Sequence, residues 1–233
     1  MFEIINASII AIKSKGENIL ELLSIHVGKV QTHDYNGEEW TTAYMKKPVS
    51  GAVHVGKLNV EGDDQHHKKY HGGEHRAVLM YAAEHYKLWS DELERDLPYG
   101  SFAENFTVTE LNEDTVCIGD IYQIGETVKV QVSQPRQPCQ QIYRTLGIRG
   151  IVKKIQSTFR SGWYCRVLEE GAVDKGMPIQ LLERLHPDWT IIRAHDVMSN
   201  RKDRPDESLE LSKIEELEPG WRKKLAQAAQ SST

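Results

Sequence analysis

Seven residues, Ser133-Gln134-Pro135-Arg136-Gln137-Pro138-Cys139, constrain this chain more than any other stretch. They follow Val128-Lys129-Val130-Gln131-Val132, an alternating run that reads as a half-buried strand. Two prolines separated by two residues oppose both a helix and a regular ladder, so the chain is expected to leave the sheet here as a stiff loop. Such a loop keeps Arg136 and Cys139 close together at a strand end. A guanidinium beside a sulfur favours the thiolate, which is both the nucleophile and the metal ligand. The same residues also fit a small apolar cysteine tucked under a loop. Arg136 fits equally an exposed ion-pair residue of little energetic weight. The local chemistry leaves these readings open.

Composition narrows the partners. The net charge of −5 over 233 residues comes with no polybasic run, so neither a nucleic-acid backbone nor an anionic membrane is expected as the main partner. No apolar run approaches the roughly 18 residues of a membrane span. The N-terminus shows neither a basic n-region nor a small-residue cleavage site, so secretion is not expected. Cys117, Cys139 and Cys165 are too few and too widely spaced for a disulfide framework or a CxxC zinc site. A reducing cytoplasm is the expected compartment.

Along the chain, residues 1–21 read as an N-terminal extension. Short β-prone runs follow: 22–30 with a kink at Gly28, 40–45 and 53–55, with a turn-rich loop at 33–37 between the first two. Further strands are expected at 102–109, 118–124, 128–132, 163–168 and 176–185. Short strands at this spacing favour a barrel or sandwich. Leu79, Ala82, Tyr86, Trp89 and Leu93 fall at helical spacing and predict one long helix over 76–97, stopped by Pro98-Tyr99-Gly100. A short helix is expected near 148–155. From Thr190 the pattern turns helical, with three segments marked by Ile191–Met198, Leu209–Leu217 and Trp221–Gln230.

The polar clusters carry the candidate chemistry. His66, His67, His71 and His75 are dense, but Gly72-Gly73 interrupts helical spacing and argues against a zinc site. The glycines instead free backbone NH groups before an expected helix start, which suits an anion; a plain Gly-Gly turn is the alternative. Asp63 and Asp64 fit a metal ligand pair or, more commonly, a turn. Glu104-Asn105 interrupts a strand-like run, and an Asn amide offers both edges needed to read a heterocycle. Cys117 and Cys165 sit in apolar runs and read as inert. There is no serine-hydrolase elbow and no Rossmann or P-loop glycine pattern.

Gly62-Asp63-Asp64-Gln65, His71-Gly72-Gly73-Glu74-His75-Arg76-Ala77-Val78, Ala103-Glu104-Asn105-Phe106, Gly119-Asp120 and the Ser133–Cys139 stretch occur in that order. The set resembles the MOSC family, domains related to the C-terminal part of molybdenum cofactor sulfurases. Within that family the chain is most similar to the bacterial YiiM proteins. The resemblance runs from about Leu22 to Leu185. Residues 190–230 resemble the three-helix appendage of that subgroup, and residues 1–21 lie outside the match. One departure stands out: the family usually carries Gly-Glu-Asn where this chain has Ala103-Glu104-Asn105, which adds a β-carbon near the cofactor.

The resemblance implies a mainly β fold with α (α+β): a β-barrel-like core over 22–187, then a small C-terminal three-helix bundle over 190–230. It implies a molybdenum cofactor (molybdopterin) whose metal sits on the Cys139 thiolate, a soft ligand suited to such a centre. It implies reduction of N-hydroxylated compounds, notably hydroxylaminopurine-type base analogues, to amines, with electrons from a separate flavin reductase. Lys47, His71, Gly72, Arg76, Asn105, Ser133 and Arg136 are the expected cofactor contacts. Arg136 suits a phosphate or pterin oxygen. Glu104, Asp64 and His71 are the expected proton carriers. Two rivals use the same residues: a sulfur carrier with a persulfide on Cys139, and a non-enzymatic pterin-binding module. The helical tail offers a surface for homodimerisation or donor docking.

Overall fold

The computed structural model describes residues 20–66 and 72–231. The expected N-terminal extension, except residues 20 and 21, lies outside them, as do His67 and His71. Twelve strands are described: β1 (Leu22–Val27), β2 (Gln31–Tyr35), β3 (Glu38–Thr42), β4 (Lys47–Pro48), β5 (Val53–Val55), β6 (Val78–Ala82), β7 (Phe106–Val108), β8 (Ile121–Ile124), β9 (Val128–Pro135), β10 (Trp163–Glu169), β11 (Gly171–Val173) and β12 (Ile179–Glu183). The α-helices are α1 (Glu84–Leu93), α2 (Gln140–Leu146), α3 (Ile151–Thr158), α4 (Ile191–Ser199), α5 (Pro205–Ser212) and α6 (Pro219–Ser231). Among the described residues, no helix is long and apolar enough to cross a membrane.

Eight strands form one sheet in the order β12-β8-β9-β10-β6-β7-β1-β4, with β5–β11 and β2–β3 as separate pairs. Within the large sheet only β6–β7 is parallel. The sheet rolls until the lead-in to β12 meets the start of β1: Leu22 N donates to Met177 O at 2.9 Å and Ile179 N to Leu20 O at 2.8 Å. The α+β, barrel-like architecture therefore holds, although β4 and β12 do not pair to close the ring.

The rolled sheet buries Leu22, Ile25, Met80, Phe106, Val130 and Cys165 in a cluster that also contains Ile191, Met198, Leu211 and Leu225 of the tail. The tail thus completes the barrel's own core. Each such aliphatic side chain contributes about 1.5–3 kcal/mol on burial. Hydrogen bonds from Ile118 N to Trp189 O (2.9 Å) and from Ile191 N to Val116 O (2.8 Å) sew the tail's first helix to the barrel. A second cluster around Tyr81, Trp89, Phe102, Ile142 and Ile155 packs α1, α2 and α3 together.

Three expectations need correction, and one helix was not expected. The long helix over 76–97 is a three-residue 3-10 turn at Glu74–Arg76, then β6, then α1. Residues 77–82 are all buried apolar residues; a strand covered on both faces has no period-2 signature and cannot be told from a helix by spacing. Strand β9 does not stop at Val132 but pairs with β10 as far as Pro135. Its other neighbour, β8, pairs only to Gln131, so Pro135 sits where that side of the strand needs no donor. The 33–37 segment is not all loop: Asn36-Gly37, with φ of 57° and 83°, forms the two-residue turn of the β2–β3 hairpin. Helix α2, directly after Cys139, was not anticipated by the periodicity.

Buried His195 on α4 makes stability pH-dependent. Burial pushes its imidazole down to about 4, against the pull of Glu113 and Asp196. Between that value and the ordinary 6.5 the unfolded chain binds a proton that the folded chain does not. The stabilisation is therefore complete above pH 6.5 and is lost as pH falls towards 4, by about 3 kcal/mol from this group. His26 and His75 are also pushed down by burial and add to the trend. Urea midpoints measured from pH 7.5 to 4.5 should fall steeply for the native chain and less steeply for His195→Phe; equal slopes would contradict the assignment.

Candidate active site

Cys139 sits where β9 has left the sheet and α2 begins. Pro135 pairs with Trp163. The next residue, Arg136, donates its backbone NH to Gly162 O at 3.0 Å. Gly162 has φ +77°, and a β-carbon there would lie 2.5 Å from Met80 O. Only glycine permits this close passage of the 159–162 turn over β6. Cys139 itself is extended, with φ −126° and ψ 171°, and stands at the N-cap of α2. It is half-buried. Its sulfur lies 3.3 Å from the Tyr44 hydroxyl, which arrives from the turn after β3. Burial raises the Tyr44 phenol well above its usual range, so it stays protonated and can donate to a thiolate.

Behind the thiol lies Arg136, 1% exposed. Neither Nη1 nor Nη2 meets hydrogen-bond geometry with any partner. Burial works to lower its pKa, but Tyr44, Tyr164 and Cys139 together more than reverse that effect. The guanidinium thus remains charged, buried and without a carboxylate. A buried cation in that state lacks the pairing that normally offsets its desolvation.

Two solvent-open clefts share Arg76 and Tyr164 as walls. The first is narrow, about 50 Å³, and is lined by Tyr44, Lys46, Asp63, Asp64, His66, Ala103, Asn105 and Gln141, among others. The second, of about 430 Å³, is lined by Gln134, Gln137, Pro138 and Cys139, and by Glu218, Gly220, Trp221 and Lys224 from the tail. Inside the first cleft, Lys46 Nζ meets Asp63 Oδ2 at 2.6 Å, with both side chains almost fully buried. Burial pushes the Lys46 ammonium down, and Asp63 pulls part of that shift back. Asp63 is itself held by Gly28 N at 2.7 Å and Asn105 Nδ2 at 2.8 Å. Gly28 must be glycine because a β-carbon would come within 2.3 Å of Ala43 O.

The structure sorts the sequence-derived residues. Cys139, Arg136, Arg76, Asn105 and Asp64 surround the two clefts, with Arg136 reaching them through Tyr44, Tyr164 and Cys139. Asn105 spends its amide within the protein: Oδ1 accepts from Leu79 N at 3.0 Å while Nδ2 holds Asp63. Lys47 is exposed on β4 and lines neither cleft; Lys46 faces inward instead, since neighbours on an extended chain point to opposite sides. Glu104 also lines neither cleft. It is fully buried, and its Oε1 accepts from Gly100 N (2.8 Å), Thr107 Oγ1 (2.9 Å) and the Tyr86 hydroxyl. Ser133 is buried as well, its hydroxyl within donating reach of two carbonyls, His75 O (2.6 Å) and Tyr164 O (3.0 Å). Gly72 is buried, and the turn that follows Gly73 spans three residues, too short to supply the helix terminus expected there. His71 lies outside the described residues. Tyr44, Lys46 and the tail residues were missed; the one available signal was the Lys46-Lys47-Pro48 doublet. Among the described residues, no group of three or more His, Cys, Asp or Glu side chains could hold a metal ion together.

Ala103 adopts φ +60° at the wall of the first cleft. That left-handed conformation costs a residue with a β-carbon about 1–2 kcal/mol, and glycine's extra unfolded-state entropy offsets about half. Ala103→Gly should therefore raise the urea midpoint slightly, by the equivalent of about 0.5–1 kcal/mol; a lowered midpoint would show that the methyl group's packing outweighs the strain.

Comparison with known proteins places this geometry. The MOSC domain model matches residues 67–180. The YflK protein of Bacillus subtilis is 46% identical over 163 residues, covering 70% of this chain and 73% of its own. A protein of Gibberella moniliformis named a reductase is 37% identical over 77% of this chain, although the match spans 32% of that longer protein. The crystal structure of YiiM from Geobacillus stearothermophilus superposes with a TM-score of 0.76 at 32% identity, over 90% of this chain and 99% of that one. The chain belongs to the MOSC domain family and is close to the YiiM proteins within it.

Proposed function

We propose that this protein is a molybdenum-cofactor-dependent reductase that converts N-hydroxylated compounds, hydroxylaminopurine-type base analogues in particular, to the corresponding amines. The observation that carries the reading is the buried Arg136 guanidinium, faced by the Tyr44 and Tyr164 hydroxyls but by no carboxylate, directly behind a half-buried thiol. A cation in that state fits an anionic cofactor whose metal is held by the sulfur. The family and the reductase-named relative support the same reading.

Cys139 would hold the metal, and the Tyr44 hydroxyl at 3.3 Å would steady the sulfur. Arg136 would neutralise the cofactor's negative charge. The first cleft, with Lys46 and Arg76, would take its anionic end. When bound, the cofactor supplies the two-electron chemistry that takes R–NHOH to R–NH₂ and water. The protein's part is to orient, to exclude bulk water and to move protons. Of the three expected proton carriers, Asp64 lines a cleft, Glu104 is locked in its own network, and His71 lies outside the described residues. Asp64 and His71 are the proposed carriers. Electrons would come from a separate flavin reductase.

Protein purified from a cofactor-competent host should hold close to one molybdenum per chain and reduce hydroxylaminopurine with a chemical or flavin electron donor. Cys139→Ala should fold normally, lose the metal and lose at least 99% of activity. Full molybdenum and activity in the variant would overturn the assignment. A labile extra sulfur on Cys139 with no molybdenum would favour the persulfide carrier instead.

A further inference from the structure

The tail does more than complete the core. Helix α6 and the residue before it form one wall of the cleft that contains Cys139, through Glu218, Gly220, Trp221 and Lys224. The wall is anchored to the barrel. Glu218 N donates to Ser133 O at 3.0 Å, and the Glu218 carboxylate pairs with Arg76 at 3.1 Å. Glu218 Oε2 also accepts from Trp221 N at 2.9 Å, and Trp221 is 2% exposed, so the first turn of α6 is fixed.

The charges in this cleft are unbalanced. Arg76 and Lys224 face one carboxylate, Glu218, which Arg76 already occupies. Lys224 is exposed and has no ion-pair partner among the described residues. With Arg76 and Glu218 paired, Lys224 leaves the wall with a net positive charge, which concentrates anions, here in a chain whose net charge is −5. The cleft's volume of about 430 Å³ is within the range that takes a nucleotide-sized molecule.

We propose that α6 is a specificity wall and that Lys224 makes the Cys139 cleft prefer the phosphate ester of an N-hydroxylated nucleoside over the neutral base. The inference rests on the reductase reading for the identity of the reacting group. Among base, nucleoside and nucleotide forms of such a substrate, only the nucleotide carries an anion. Lys224 is a binding residue and takes no part in the proton transfers.

The test uses the full, cofactor-loaded chain. Dissociation constants for hydroxylaminopurine and for its ribonucleoside 5′-monophosphate are measured by calorimetry without an electron donor, so neither is consumed. Molybdenum content is measured in every sample. The native chain should bind the monophosphate roughly three- to tenfold more tightly, as a single partly exposed charge-assisted contact allows. The preference should shrink at high salt. Lys224→Glu should bring the ratio to one or below, Lys224→Arg should retain it, and molybdenum content should not change. An unchanged ratio in Lys224→Glu would overturn the proposal. So would a loss of molybdenum in that variant, which would assign the lysine to the cofactor's phosphate. If the affinity pattern holds but adding a donor gives no turnover, the reductase reading fails while the anion preference stands.

Discussion

A guanidinium buried without a counter-ion is the constraint around which this structure is arranged. Arg136 is 1% exposed, and its guanidinium faces the Tyr44 and Tyr164 hydroxyls rather than a carboxylate. Several kcal/mol of desolvation normally drive such a group to the surface or into an ion pair. Here the backbone gives it no choice. Its NH is fixed to Gly162 O, one residue after β9 leaves the ladder with β10. Unpaired buried charge in a native fold points to a ligand that completes it.

The elements that converge on this charge come from distant parts of the chain. The turn after β3 brings Tyr44 to the Cys139 sulfur. Gly28 lets the end of β1 close on Ala43 and Asp63, which places Lys46. The tail closes the far side through Glu218. The tail, so often a separable appendage, here shares the barrel's core and forms part of the wall around the thiol. A change in α6 is thus a change in the site.

Much of the site was legible in the chain because it is local. Arg136 and Cys139 lie three residues apart between prolines, and any stiff bend keeps them neighbours. The parity of extended segments was not legible. Lys47 and Glu104 looked as suitable as their neighbours, yet Lys46, just before β4, turns inward, and Ala103 and Asn105 line the cleft while Glu104 points into its own network. A one-residue shift flips a side chain to the other face, and nothing in the local composition fixes it. The 77–82 run misled for a related reason: burial on both faces erases the alternation that marks a strand. Tyr44 and Lys224 reach the site only through tertiary packing, so no pattern near Cys139 could announce them.

The most direct test compares Arg136→Met with the native chain, each with and without cofactor, by urea unfolding. Without cofactor, the methionine variant should be the more stable by about 1 kcal/mol or more, because an unpaired buried charge has been removed. With cofactor supplied, the native chain should gain stability and retain molybdenum, and the variant should do neither. A cofactor-free variant less stable than the native chain, together with normal molybdenum retention, would contradict the account.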